Sequence, residues 1–173
     1  MKPIFQALAK YNRTVNDELI GILAKLPKVK LMMETKAFYH TIFETLTHIL
    51  TSDRAWLSRF EKAFPACACF KNNEVTGLDE AAIRRKISED YAALFDVRRK
   101  ADDLLERFVN EIGESEYTVS FKYRNYKGEE NERILWQTLS QMFNHQTHHR
   151  GSISTMLDMM GIENDYSTLL TRI

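Results

Sequence analysis

Residues 144–151 read Asn-His-Gln-Thr-His-His-Arg-Gly and hold three of the chain's five histidines. Neutral imidazole is the commonest protein ligand for a transition metal. Two imidazoles four residues apart share one face of a helix, where they can converge on a single ion. The surrounding residues have the period such a helix needs: Leu135, Leu139, Met142, Gln146, His149, Ile153, Met156 and Met160 recur at alternating spacings of four and three. That is the seam of a bundle helix. With Leu135 as the centre of the stripe, His149 lies about 40° away, His145 about 80° and His148 about 140°. His145 and His149 therefore face inward together, and His148 faces out. A His-Glu-x-x-His protease helix would carry Glu at position 146, where this chain has Gln146.

A third ligand has to come from another segment, and His40 and His48 are the histidines left. Phe38, Ile42, Leu46, Ile49, Trp56 and Phe60 mark the apolar arc of an earlier helix. His48 borders that arc, about 80° from Phe38 and Trp56, with His40 about another 80° further round. The small residues Thr41, Thr45, Ser52 and Ala55 beside His48 leave room for a pocket. Geometry alone favours His48 modestly.

Other polar residues have two readings each. Asp53 lies about 140° round the helix from His48, so it either orients a group near the pocket mouth or is a solvated or salt-bridged helix residue. Asn12 and Asn16, four apart on the first helix, either face the site or sit at a polar boundary, and the boundary is the favoured reading. Arg150 is open to contact with an anionic substrate or to a structural ion pair. Met156, Met159 and Met160 read as core packing. Cys67 and Cys69 are two apart, the wrong spacing for a Cys-x-x-Cys element, and read as a reduced pair in a connecting loop.

The elements that must position these residues are helical. Only three prolines and six glycines occur, leaving long unbroken segments. A first helix is predicted from Pro3 to Leu26, stopped by Pro27, and a second from Lys36 to Phe64. A third starts after Gly77, capped by Asp79, and runs to Ile112; a fourth runs from Asn131 to Met160, closed by Gly161. Tyr117 to Arg124 alternates apolar and polar residues with period two, half of a small hairpin turning at Asn125–Gly128. The expected fold class is all-α: a four-helix bundle with a hairpin or strand inserted before the last helix.

A chain of 173 residues is long enough for one full core and short for two ordinary domains, so one domain spanning 1–173 is expected. Lys plus Arg and Asp plus Glu number 24 each, so no net field draws the protein to nucleic acid or an anionic membrane. The pairs at Arg84-Arg85 and Arg98-Arg99-Lys100 are interrupted by acids and read as a solvated helix face. The amino terminus turns polar too early for a signal peptide, and no apolar run suffices to cross a membrane. The expected location is the cytoplasm.

Two stretches carry a family resemblance. LTHILTSDRAWL (residues 46–57) and FNHQTHHRGSISTMLDMMG (residues 143–161) together resemble the paired signature of the DinB family, metal-binding four-helix bundles of the DinB/YfiT-like superfamily. YNRTVNDEL (residues 11–19) resembles that family's first helix, and the strand before the last helix falls where its members carry theirs. Ser152 stands where many members have Gln. The resemblance implies that His48, His145 and His149 are the metal ligands, with His148 outside the set. It implies a divalent metal cofactor, zinc or nickel, and an enzyme that activates a thiol or water for thiol S-transfer or detoxification. A small-molecule substrate, including a low-molecular-weight thiol, is then the expected partner, with a homodimer open to such a bundle. The alternatives are a non-catalytic metal-binding stress or interaction protein and a metal-dependent hydrolase.

Overall fold

The computed structural model describes the backbone of residues 1–173 and every side chain except those of residues 88 and 89. In chain order the elements are α1 (Lys2–Leu23), α2 (Lys28–Leu31), α3 (Ile42–Ala63), α4 (Glu80–Glu89), α5 (Ala93–Glu111), β1 (Ser120–Arg124), β2 (Glu130–Ile134) and α6 (Leu135–Met159). Short 3-10 turns at Ala68–Phe70 and Glu114–Thr118 join them. The four long helices form the bundle: α1 packs on α5 and α6, and α3 packs on the same two, so α1 and α3 sit on opposite corners. Among the described residues no helix is long and apolar enough to cross a membrane.

Local chemistry sets the boundaries. Pro3 sits in the first turn of α1, where its missing N–H is not needed. The Lys2 backbone N–H donates to Glu114 at 2.8 Å, tying that end to the turn after α5. The second bundle helix starts six residues later than predicted, because Thr41 caps it: its hydroxyl accepts from Glu44 N–H at 3.0 Å. Phe38, expected on its apolar arc, lies in the preceding loop and is 88% exposed. Asp79 caps α4 as predicted, accepting from Ala82 N–H at 2.6 Å.

The predicted third helix is two helices. Asp90 turns extended at φ −139°, and its carboxylate accepts from Ala92 N–H at 2.9 Å. A side chain that satisfies a backbone donor locally competes with the helix, and it does so without Gly or Pro. The last helix begins at Leu135 and not at Asn131, because residues 130–134 pair with β1 in antiparallel register, Phe121 opposite Arg133 and Tyr123 opposite Asn131. Gly128, at φ +81°, makes the turn. Gly161 (φ +71°) closes α6, with Ile162 N–H returning to Leu157 at 3.0 Å.

The core is aromatic at the hairpin end, where Phe60 stacks on Phe108 with centroids 5.1 Å apart and Phe121 packs edge-on against Phe60. Midway along the bundle it is polar. Arg98 of α5 is fully buried and donates to Asp53 of α3 at 2.5 Å and to Asp102 at 2.7 and 3.0 Å. Asn12 and Asn16 of α1 also donate to Asp102, at 3.1 and 3.0 Å, and Asn16 reaches Gln146 of α6 at 3.1 Å. Arg150 donates to both asparagines, at 2.9 and 3.1 Å. One hydrogen-bonded network thus links all four long helices.

Candidate metal centre

The C-terminal half of α3 and the start of α6 both meet the hairpin, so the two helices run antiparallel side by side. This brings His48, two turns into α3, opposite the middle of α6. His48 Nε2 and His145 Nε2 are 2.9 Å apart. Ring centroids lie 4.9 Å apart for His48 and His145, 4.7 Å for His48 and His149, and 4.5 Å for His145 and His149. One ligand nitrogen from each ring lies within 4.8 Å of the others.

All three rings are half-buried. Burial, followed by the neighbouring imidazoles His48 and His148, holds His145 down at about 4. Burial, then His145 and His148, holds His149 at about 4, and burial likewise lowers His48. At neutral pH these groups are uncharged and keep a lone pair, the form that ligates a metal. No carboxylate hydrogen-bonds any of the rings among the described residues, and His145 Nδ1 is buried without a partner. Three convergent neutral nitrogens fit a borderline divalent ion such as zinc or nickel better than a hard oxygen-seeking one.

The other sequence-predicted residues separate cleanly. His148 is exposed, as its helix angle required, and His40 is exposed in the loop before α3, outside the cluster. His149 lies at the edge of the buried stripe of α6; Gln146, Arg150 and Ile153 occupy its centre. Asp53 takes the salt-bridged reading, but in the interior: it is neither at a pocket mouth nor solvated, and is wholly buried in the ion pair with Arg98. Asn12 and Asn16 are buried and not at a boundary. Arg150 is also buried, spent on α1, with its guanidinium 5.5 Å from the Tyr11 ring, so no surface is left for a substrate anion. Met156 is core, Met160 is half-buried against it, and Met159 is 74% exposed and outside the core. Cys67 and Cys69 are free thiols in the loop after α3, pushed up by burial to about 11 and about 12.

Two important residues fall outside the sequence-based expectation. Tyr39 stacks on His48 with centroids 4.3 Å apart and meets His149 edge-on at 5.4 Å. It was hidden because the second helix was extended across its loop. Arg98 was read as a solvated charge, although Arg98 and Asp102 stand four apart on the face carrying Leu94, Ala101 and Leu105, a signal that was there to find.

The match to known proteins agrees with this geometry. A family model described as the DinB family matches residues 1–171. Protein DinB of Bacillus subtilis (strain 168) is 24% identical over 158 residues, covering 89% of this chain and 84% of that protein. No solved structure matches the chain. With the family match running almost end to end and the three histidines gathered between α3 and α6, the chain belongs to the DinB family.

Proposed function

We propose that His48, His145 and His149 hold one divalent cation, zinc or nickel, and that the protein is a metal-dependent enzyme of the thiol S-transferase or detoxification type. The observation that carries this reading is the convergence of three uncharged imidazole nitrogens from two helices within 4.8 Å of one another. Three protein nitrogens leave positions open, and a divalent ion held there supplies the Lewis acidity that turns a thiol or water into a nucleophile near neutral pH.

The chain's own residues supply the rest. Burial keeps the imidazoles unprotonated, so protons do not compete for their lone pairs. Tyr39 covers the face of His48 and limits water on that side. Beside it opens a cleft of about 470 Å³, walled by Phe43, Tyr39 and Ile87, with Glu44 and Arg84 among its polar lining. That volume is within the range of small-molecule sites, roughly 300–1,000 Å³, and its apolar walls suit a small organic electrophile. The polar network beneath fixes the phase of α6, since Gln146 and Arg150 are the immediate neighbours of His145 and His149.

A second reading, a non-catalytic metal-binding protein, is favoured by the lack, among the described residues, of a carboxylate hydrogen-bonded to the cluster, which leaves no general base assigned there. Elemental analysis of protein purified without a nickel column tests the shared premise. Near-stoichiometric metal is expected in the wild type, lost in His48→Ala, His145→Ala and His149→Ala and kept in His148→Ala and His40→Ala. A wild-type protein that neither carries metal nor takes up added zinc overturns the site. Metal-loaded protein that conjugates no thiol to any electrophile tried would leave the non-catalytic reading.

A further inference from the structure

About eleven residues beyond His48, roughly 16 Å along α3 at 1.5 Å per residue, a second cleft of about 380 Å³ opens between α3 and β1. Its lining is basic: Arg54, Arg59, Lys62, Lys122 and Arg124 contribute charge, and among the described residues no carboxylate lines it. The small side chains of Ala55 and Ser58 complete the lining on α3.

The cations there are largely unspent. Lys122 is paired with Glu130 at 3.0 Å, but Arg54, Arg59, Lys62 and Arg124 have no ion pair among the described residues. Arg124 donates to the Gly128 carbonyl at 3.0 Å and Arg54 to the Leu78 carbonyl, while Arg54 Nε is buried with no partner. Arg59 is the clearest case. Its guanidinium is half-buried and held only by ring faces, 4.5 Å from Trp56 and 4.9 Å from Tyr123. A partly desolvated cation without a counter-ion is costly, and a guanidinium pre-oriented by two rings presents its donors in a fixed fork.

We propose that this cleft binds a small organic molecule carrying two or more phosphate-type charges, and that it does so independently of the histidine cluster. A polymer is disfavoured by the second strand. Glu130 and Glu132 stand opposite Arg124 and Lys122 in the hairpin register, so a long phosphate backbone leaving the cleft in that direction meets like charge.

Pyrophosphate is the probe, titrated by calorimetry at low ionic strength into the full-length chain. Saturable one-to-one binding is expected. Arg59→Met keeps the aliphatic stem against Trp56 and Tyr123 and should weaken binding about tenfold, the value of one charge-assisted hydrogen-bonding group. Arg124→Ala, at an exposed strand end, should weaken it less, roughly threefold, and keeps the test decisive if Arg59→Met misfolds. His149→Ala should bind as the wild type does, which separates this site from a metal that chelates the probe. Absence of binding at millimolar pyrophosphate, or binding unchanged in both arginine variants, overturns the proposal. So does tighter binding of a short single-stranded oligonucleotide lost in the same variants, which would make the cleft a nucleic-acid site.

Discussion

Replacing Arg98 by Met removes the cation at the centre of the bundle while conserving most of its volume. Arg98 is 0% exposed and makes three charge-assisted hydrogen bonds, of 2.5, 2.7 and 3.0 Å, to two aspartates that are themselves buried. Without it, among the described residues Asp102 keeps only the amides of Asn12 and Asn16, and Asp53, whose Oδ1 already lacks a partner, keeps no hydrogen bond at all. Breaking a buried pair from one side costs about 3–5 kcal/mol, a fifth or more of a typical stability of about 5–15 kcal/mol. For a chain of this size that is a fall in Tm of roughly 6–20 °C.

The loss has a predicted pH dependence. Burial raises both carboxylates, Asp53 to about 7 even with Arg98 present, and removing the cation raises them further. A native pKa raised above the unfolded value of about 4 means that the native state holds a proton the unfolded state has released. The penalty is therefore full above the raised native pKa and shrinks as pH falls. Urea denaturation of wild type and Arg98→Met, compared at about pH 8 and about pH 5, should show the gap narrowing at the lower pH. The triple variant Arg98→Met, Asp53→Leu, Asp102→Leu should recover most of the loss, because the unpaired charge and not the missing bond is responsible. A loss below about 1 kcal/mol at the higher pH would refute buried pairing, and equal losses at both pH values would refute the carboxylates as its cause.

Further outcomes concern the histidine cluster. Its depressed pKa values, about 4 for His145 and His149, place the neutral form above that pH; zinc uptake followed by competition with a chromophoric chelator should persist well below the free-imidazole value of about 6.5 and fail as pH approaches 4. Uptake lost already near pH 6.5 would mean the imidazoles titrate as free groups. Tyr39→Ala uncovers His48 and should speed stripping of zinc by excess chelator severalfold with little change in folding stability; an unchanged rate would show that the ring is no barrier to the site.

How much of this was legible beforehand follows from the range of the interactions involved. The helical character, the hairpin turn at Gly128, the cap at Asp79 and the stop at Gly161 arise within a few residues of sequence, so period and turn chemistry report them. The inward pairing of His145 and His149 is local too, set by 3.6 residues per turn. Helix ends controlled by competition were not legible: Thr41 and Asp90 divert backbone N–H groups by side-chain bonds that no glycine or proline announces.

What the sequence by itself determined is therefore the set of faces: which residues share a side of each helix, and that a histidine pair stands on one of them. Tertiary structure decided what those faces meet. The antiparallel packing of α3 on α6 brings His48, and not His40, to the histidine pair, and the packing of α3 on α5 carries Asp53 to the Arg98 guanidinium in the bundle interior. A charge is solvated or buried according to partners distant along the chain, 45 residues away for Arg98 and Asp53. Helical periodicity records the angle of a side chain but not the element packed against it, which is why Arg150 stays open between two readings and the asparagines of α1 are expected at a boundary, whereas they and Arg98 form the polar centre of the core.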